Sequence, residues 1–429
     1  MRHSLRLRGR AAPRAGVRGR GGTVATVAAT AALGLAALAP ASALAVAPPQ
    51  LGVTAASLSV EGTGQQLYGV NANAELPIAS TTKLMTCLVT LQHVHNLNTV
   101  FAQNDWYPAA ADSQIGLDPG DRMTVHDLIE AMLLPSADDA AEDLAYNVGH
   151  GSVPRFVAMM NADARALGLS HTHYSTPIGL DTPGNYSSAS DLVKLASYEL
   201  IHEPFFRQVV AMPSATLASG PVRYVVNRND LVARVPWIHG VKTGHTTDAG
   251  YVLVVEGRRD GMSLIGAVLG TDSEASRDQN ALSLLDYGFA EYHDVRVLRA
   301  GQVLARPAIR DNPGRRAVAV SSAGFARIVS QSTHFRIRVD APHQLAGPLP
   351  RHAVVGQVTV LLDGRAVARL PLLLQRALPA ISPLTLAGHF LTKAPTLVLL
   401  ILLMGIALTL TARRRGRVRT SARNRLEAR

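Results

Sequence analysis

Ser80 and Lys83 stand three residues apart in "AELPIASTTKLMT", at a point where a helix should begin. Pro77 and Ser80 are start signals, and Leu84, Leu88 and Leu91 recur at i, i+4 and i+7, which predicts an amphipathic helix opening near Ser80. Serine and lysine then share one face. A serine hydroxyl is a poor nucleophile at neutral pH, and a lysine can activate it if burial or a nearby cation lowers the lysine pKa. Taken alone, the same tetrad reads more readily as an N-cap serine followed by a solvated lysine. Two other places carry matching chemistry. Ser136 follows a break at Pro135 and has Asp139 three residues on, the spacing of a capping box, and Lys242, Thr243 and Gly244 lie in a run that reads as a strand. Lys242 could be the second cation. Together with the Thr243 hydroxyl it suits a ligand ending in a free carboxylate, while Gly244 permits close backbone approach.

The elements that must position these groups follow from periodicity. After Pro48 and Pro49, "AASLSVEGTGQQLYGVNANAELP" alternates around glycine turns and predicts a hairpin packed beside the first helix. Residues 80 to 210 read as mostly helical, with starts at Thr124 (Asp127 three on) and Ser136, and a helix over "VPRFVAMMNADARALGL" closed by Gly168. Strand patterns take over from Val222, and Asp260-Gly261 marks a two-residue hairpin. An α/β domain with an antiparallel sheet and a helical lobe is implied over 50–292. Short runs over 293–378, punctuated by Gly, Pro and Asp-Gly, predict a smaller all-β domain, and 379–393 would link it onward.

The blocks "PIASTTKLMT", "MLLPSADDAA", "YSTPIGLD", "YSSASDLVKLA" and "GVKTGHTTDAGY", in that order, resemble the low-molecular-mass penicillin-binding proteins, the serine D-Ala-D-Ala carboxypeptidases. The similarity covers about 60 to 290, and "VVGQVTVLLDGRAVARLPLLL" is more loosely similar to the β domain that follows in many members. The resemblance implies the penicillin-binding/β-lactamase fold and an acyl-enzyme on Ser80, with Lys83 as base and Ser136 relaying a proton to the leaving amine. It also implies that Lys242, Thr243 and Gly244 receive the substrate carboxylate and that the backbone N–H groups of Ser80 and His245 hold the oxyanion. Peptidoglycan stem peptides would be the substrate and β-lactams the inhibitors. One position departs from the pattern. Asp138 stands where the family usually has asparagine; an ionised aspartate only accepts hydrogen bonds, and it would raise the pKa of Lys83.

The chain of 429 residues has a net charge of +11, which suggests nucleic acid until the charge is located. Seven arginines lie in residues 1 to 20 and eight in 412 to 429, so the ends carry +14 and the middle about −3. A basic tail is not a basic groove, and no nucleic-acid partner is expected. Residues 1–45 read as a signal peptide: arginines, an apolar run from Thr23 to Ala39, then Ala43-Leu44-Ala45 or Ala45-Val46-Ala47 as cleavage site. Residues 394–412 are nineteen uncharged residues, about 28 Å of helix, which predicts a transmembrane anchor; the arginines of 413–429 place that tail in the cytoplasm and the bulk of the chain outside.

A single cysteine, Cys87, excludes an internal disulfide and reads as a packing residue. The pairs His93/His95 and His171/His173 are spaced i, i+2, which does not converge on a helix, so no metal or cofactor is expected. A β-lactamase would need a deacylating carboxylate, and no glutamate lies between Glu142 and Glu199. A D,D-transpeptidase shares every motif named, and a wall-binding protein weakened by Asp138 is the non-enzymatic alternative.

Overall fold

The computed structural model describes residues 46–380 apart from Ala111, Asp311 and Pro313, together with Pro383 and 394–426; the segment read as a signal peptide and most of the 379–393 segment lie outside the described residues. Strands β1 (Ala55–Val60) and β2 (Gln66–Val70) form the expected hairpin. A 3-10 turn over Ala79–Thr82 leads into α1 (Lys83–His93). The ribbon of β3 (Val100–Ala102) and β4 (Arg122–Thr124) precedes α2 (Val125–Leu133), α3 (Asp138–Val148) and α4 (Val153–Ala166). Helices α5 (Ala189–His202) and α6 (Pro204–Val210) follow, then the ribbon β5 (Ser214–Leu217) and β6 (Arg223–Val226), and the single turn α7 (Leu231–Arg234).

Strands β7 (Ile238–Thr246), β8 (Gly250–Arg259) and β9 (Met262–Thr271) complete an antiparallel five-stranded sheet in the order β2-β1-β9-β8-β7. Arg259 pairs with Met262, and Asp260 and Gly261 both take positive φ, the two-residue turn that Asp-Gly favours. Strands β8 and β9 are buried along most of their length because α8 (Glu274–Glu291) covers one face and the helical lobe the other. Position β7 at the sheet edge leaves one side of it unpaired, next to the turn that carries Ser80.

Helix α1 is not amphipathic as its leucine spacing suggests. Every residue from Lys83 to Leu91 is buried, because α1 runs through the middle of the helical lobe. Its polar side chains turn to backbone carbonyls: Thr86 Oγ1 donates to Pro177 O at 2.6 Å and Thr90 Oγ1 to Thr86 O at 2.7 Å.

Beyond α8, β10 (Tyr292–Leu298), β11 (Val303–Ala305), β12 (Ala308–Ile309), β13 (Ala319–Ser321), β14 (Phe325–Ser330), β15 (Phe335–Asp340), β16 (Gln344–Leu345), β17 (Val354–Leu362) and β18 (Arg365–Leu374) form an all-β region. Its main sheet has the order β11-β13-β18-β17-β15 over a core that includes Val358, Val360 and Leu372. Helix α9 (Ala394–Leu426) is long and apolar enough over Leu397–Arg415 to cross a membrane. It continues without a break into the arginine run, consistent with the high helix propensity of arginine.

Candidate active site

The turn before α1 holds Ser80 in a strained setting. Ala79 has φ 47°, and Thr81 Oγ1 donates to Ile78 O at 2.6 Å, fastening the turn from below. Ser80 is therefore presented ahead of the helix rather than as its N-cap; Thr82 occupies that place. Lys83 is fully buried, and its ammonium has three acceptors: Ser80 Oγ at 2.8 Å, Asp138 Oδ1 at 2.5 Å and Ile178 O at 2.8 Å. Ile178 arrives on a loop that lies flat against the Ser80 turn. Gly179 has φ 91°, and a Cβ there would fall 2.1 Å from Ala79 O, so only glycine fits. Asn185 Nδ2 ties the same loop to Thr82 Oγ1 at 3.1 Å.

Ser136 does not cap a helix. It has φ 70°, α3 begins two residues later with Ala137 as N-cap, and no side chain caps it. The left-handed backbone aims Ser136 Oγ at Lys242 Nζ, 2.9 Å away, and Asp139 has a different task. Its carboxylate accepts from the backbone N–H groups of Ile115, Gly116 and Leu117 at 3.0–3.1 Å, pinning the loop before β4 against α3. Lys242 is buried and also donates to Thr243 O at 3.0 Å.

The charge of Lys83 bears on Lys242. Burial lowers the Lys242 pKa well below its ordinary value, and the charges of Lys83 and Arg228 push it the same way. Burial also lowers Lys83, against the upward pull of Asp138. The aspartate thus pulls the Lys83 pKa up as its chemistry suggests, but desolvation is the larger effect and the net direction is downward. A neutral Lys83 keeps two N–H donors for Asp138 and Ile178 O and turns its lone pair to the Ser80 hydroxyl, the arrangement a general base requires.

Strand β7 brings Gly244 alongside. A Cβ on Gly244 would lie 3.0 Å from both Ala79 Cβ and Ser80 N, and 3.1 Å from Ile78 O. Thr243 is buried, whereas the His245 ring is exposed and packs on Tyr251, its register partner, with centroids 4.0 Å apart. A cleft of about 450 Å³ lies beside the turn, lined by Ile78, Ala79, Gly179, Asp181, Tyr186 and Asp248 among others. The eight residues singled out from the sequence thus gather around one turn and one strand edge. Two contributors carry no residue-type signal: the Ile178 carbonyl, a backbone group, and Arg228, whose charge acts on both lysines.

His126, Asp127 and Glu130, which no motif marks as ligands, bring potential ligand atoms within 4.8 Å of one another. Asp127 is committed elsewhere. Its Oδ2 accepts from Ala218 N, Ser219 N and Ser219 Oγ at 2.6–2.9 Å and its Oδ1 faces His126 Nδ1, so the group ties the start of α2 to the segment after β5.

A sequence model described as D-alanyl-D-alanine carboxypeptidase matches residues 42–273. Relatives of that name include one from Streptomyces sp. strain K15, 35% identical over 62% of this chain and 97% of the relative, and DacD from Salmonella typhimurium, 31% identical over 76% and 86%. Among solved structures, penicillin binding protein 5 from Haemophilus influenzae aligns over 78% of this chain and 99% of its own with 27% identity and a TM-score of 0.60. The Streptomyces K15 DD-transpeptidase aligns over 57% and 100% with 34% identity and a TM-score of 0.54. A match over more than half of the chain, with a buried lysine on the serine that the motif order singles out, places this protein in the family of serine D-alanyl-D-alanine carboxypeptidases, penicillin-binding hydrolases.

Proposed function

We propose that Ser80 attacks the carbonyl of the D-Ala-D-Ala bond in peptidoglycan stem peptides, with the residue roles that follow. Neutral Lys83 takes the hydroxyl proton as the ester bond forms. The proton passes through Ser136 to the departing D-alanine nitrogen as the peptide bond breaks. Lys242 holds Ser136 in place and, with Thr243, receives the terminal carboxylate. The N–H groups of Ser80 and His245 stabilise the oxyanion, and Gly244 keeps the strand close enough to the turn for that. Water then attacks the ester, giving back the serine and releasing the shortened stem peptide. Penicillins acylate the same oxygen.

The observation that carries this reading is the 2.8 Å contact between Ser80 Oγ and a lysine whose pKa burial lowers. Ser80→Ala should abolish covalent labelling by a fluorescent penicillin, and Lys83→Ala should slow it by about 10²-fold or more. Intact labelling of folded Ser80→Ala would refute the assignment.

The transpeptidase named among the similar structures favours a second reading, in which an amine replaces water as acceptor. The partition between hydrolysis and aminolysis of one acyl donor separates the two. We also infer that α9 anchors the chain with its arginine end in the cytoplasm and the catalytic region outside, because Arg413, Arg414, Arg415, Arg417 and Arg419 crowd one end of the apolar span.

A further inference from the structure

The charge of this chain is divided between its two folded regions. Residues 46–292 contain 13 Lys and Arg against 26 Asp and Glu, whereas residues 293–380 contain 13 Arg and only four Asp. Charged groups on a soluble surface usually intersperse their signs. The catalytic region follows that habit with a web of ion pairs, but among the described residues none of the 13 arginines of the β region meets a carboxylate.

Four of these arginines converge. A cavity of about 1000 Å³ is lined by Arg306, Arg315, Arg316 and Arg376, all exposed, and no carboxylate is found among its described lining residues. The Arg316 guanidinium donates to Arg306 O at 3.1 Å, which fixes one wall. A second hollow of about 500 Å³ shares Gln375 and Arg376 with it and adds Arg351. The cavity sits where the chain leaves the β region, since Leu378, Pro379 and Ala380 form part of its wall. Ala394, the first residue of α9, is 14 residues further on, a reach of at most about 50 Å.

We propose that this arginine-lined cavity docks the anionic headgroups of the membrane that α9 spans, seating the β region on the bilayer. The proposal rests on α9 being the anchor. Planar guanidinium groups suit phosphodiester oxygens, and tethering to the bilayer holds the cavity at high effective concentration near them. The acidic catalytic region is repelled by the same surface, so the attraction falls on the β region alone.

The test uses the full chain in lipid nanodiscs, with a fluorophore on Ala377→Cys at the cavity rim, the native Cys87 being buried. Quenching by headgroup-spin-labelled lipid should be severalfold greater in discs containing phosphatidylglycerol than in phosphatidylcholine. It should fall away in 1 M salt, where the screening length is about 3 Å. Arg315→Glu/Arg316→Glu, and the milder Arg315→Gln/Arg316→Gln, should abolish the lipid dependence while Ser80 still labels with penicillin, which reports a folded chain. A chain that enters neither disc refutes the anchor and the proposal with it. A chain that enters both with equal quenching, or whose lipid dependence survives both double substitutions, refutes the docking alone. Capture of a soluble polyphosphate chain by these arginines without lipid dependence would assign the cavity to an anionic wall polymer and overturn the membrane assignment.

Discussion

Replacing Asp138 by asparagine tests how the base is tuned. The carboxylate lies 2.5 Å from Lys83 Nζ in a buried site. At that distance, with an effective dielectric constant of about 20, Coulomb attraction is about 7 kcal/mol, and the desolvation of two ions offsets several kcal/mol of it. The remainder favours the charged form of Lys83, the direction in which Asp138 acts. Asp138→Asn removes that contribution and leaves burial and Arg228 to depress Lys83 further, with only Asp139 pulling the other way. Acylation requires the neutral amine, so the rising limb of the acylation rate against pH should move to lower pH. The amide also still accepts from Lys83 and gains a donor for the substrate carbonyl. The assay is stopped-flow penicillin acylation from pH 5 to 10 on both proteins, with circular dichroism confirming the fold. Superimposable profiles would refute the reasoning, because they would mean that Asp138 does not hold charge against Lys83.

Other consequences can be checked alongside. Gly244→Ala places a methyl 3.0 Å from Ser80 N, and a displacement of a few tenths of an ångström there should lower the acylation rate about 10-fold or more while the melting temperature changes little. Burial raises the Glu142 and Asp143 carboxyls to about 7, so the folded state binds protons that the unfolded state has lost; stability should fall as pH rises from about 4.5 through 7. Glu142→Gln should flatten that decline by up to about 3 kcal/mol at pH 8, as read from urea unfolding at both pH values. Protease added to intact cells should remove the catalytic region and spare a tag placed after Arg429, and loss of the tag would reverse the orientation.

Much of this architecture is written locally. Alternation in "AASLSV" and the Asp-Gly turn are enough to place the strand β1 and the β8–β9 hairpin, although β1 is buried on both faces and its polar serines lie inside the protein. The order of the Ser80, Ser136 and Lys242 blocks likewise signals the chemistry. What the sequence hides is set by distant contacts. Ser136 has the spacing of a capping box, but its φ of 70° and the lysine 106 residues away decide its direction. Leu84, Leu88 and Leu91 imply a helix with a wet face, and only the surrounding helices make α1 a core element. The Ile178 carbonyl has no residue-type signature, since any residue would supply it.

The burial of Lys242 has a consequence for ligand binding as a thermodynamic event. An amine depressed well below its ordinary pKa holds its proton less firmly, and an incoming carboxylate supplies the charge that favours protonation. If Lys242 receives the substrate terminus, capture of the anion and uptake of a proton from solvent are linked. Anion and proton then favour each other's binding, so the site can prefer a ligand with a free terminus. Amidated peptides bring no such charge and gain nothing from that linkage. Discrimination against them therefore lies partly in the protonation state of the protein, beyond the shape of its cleft.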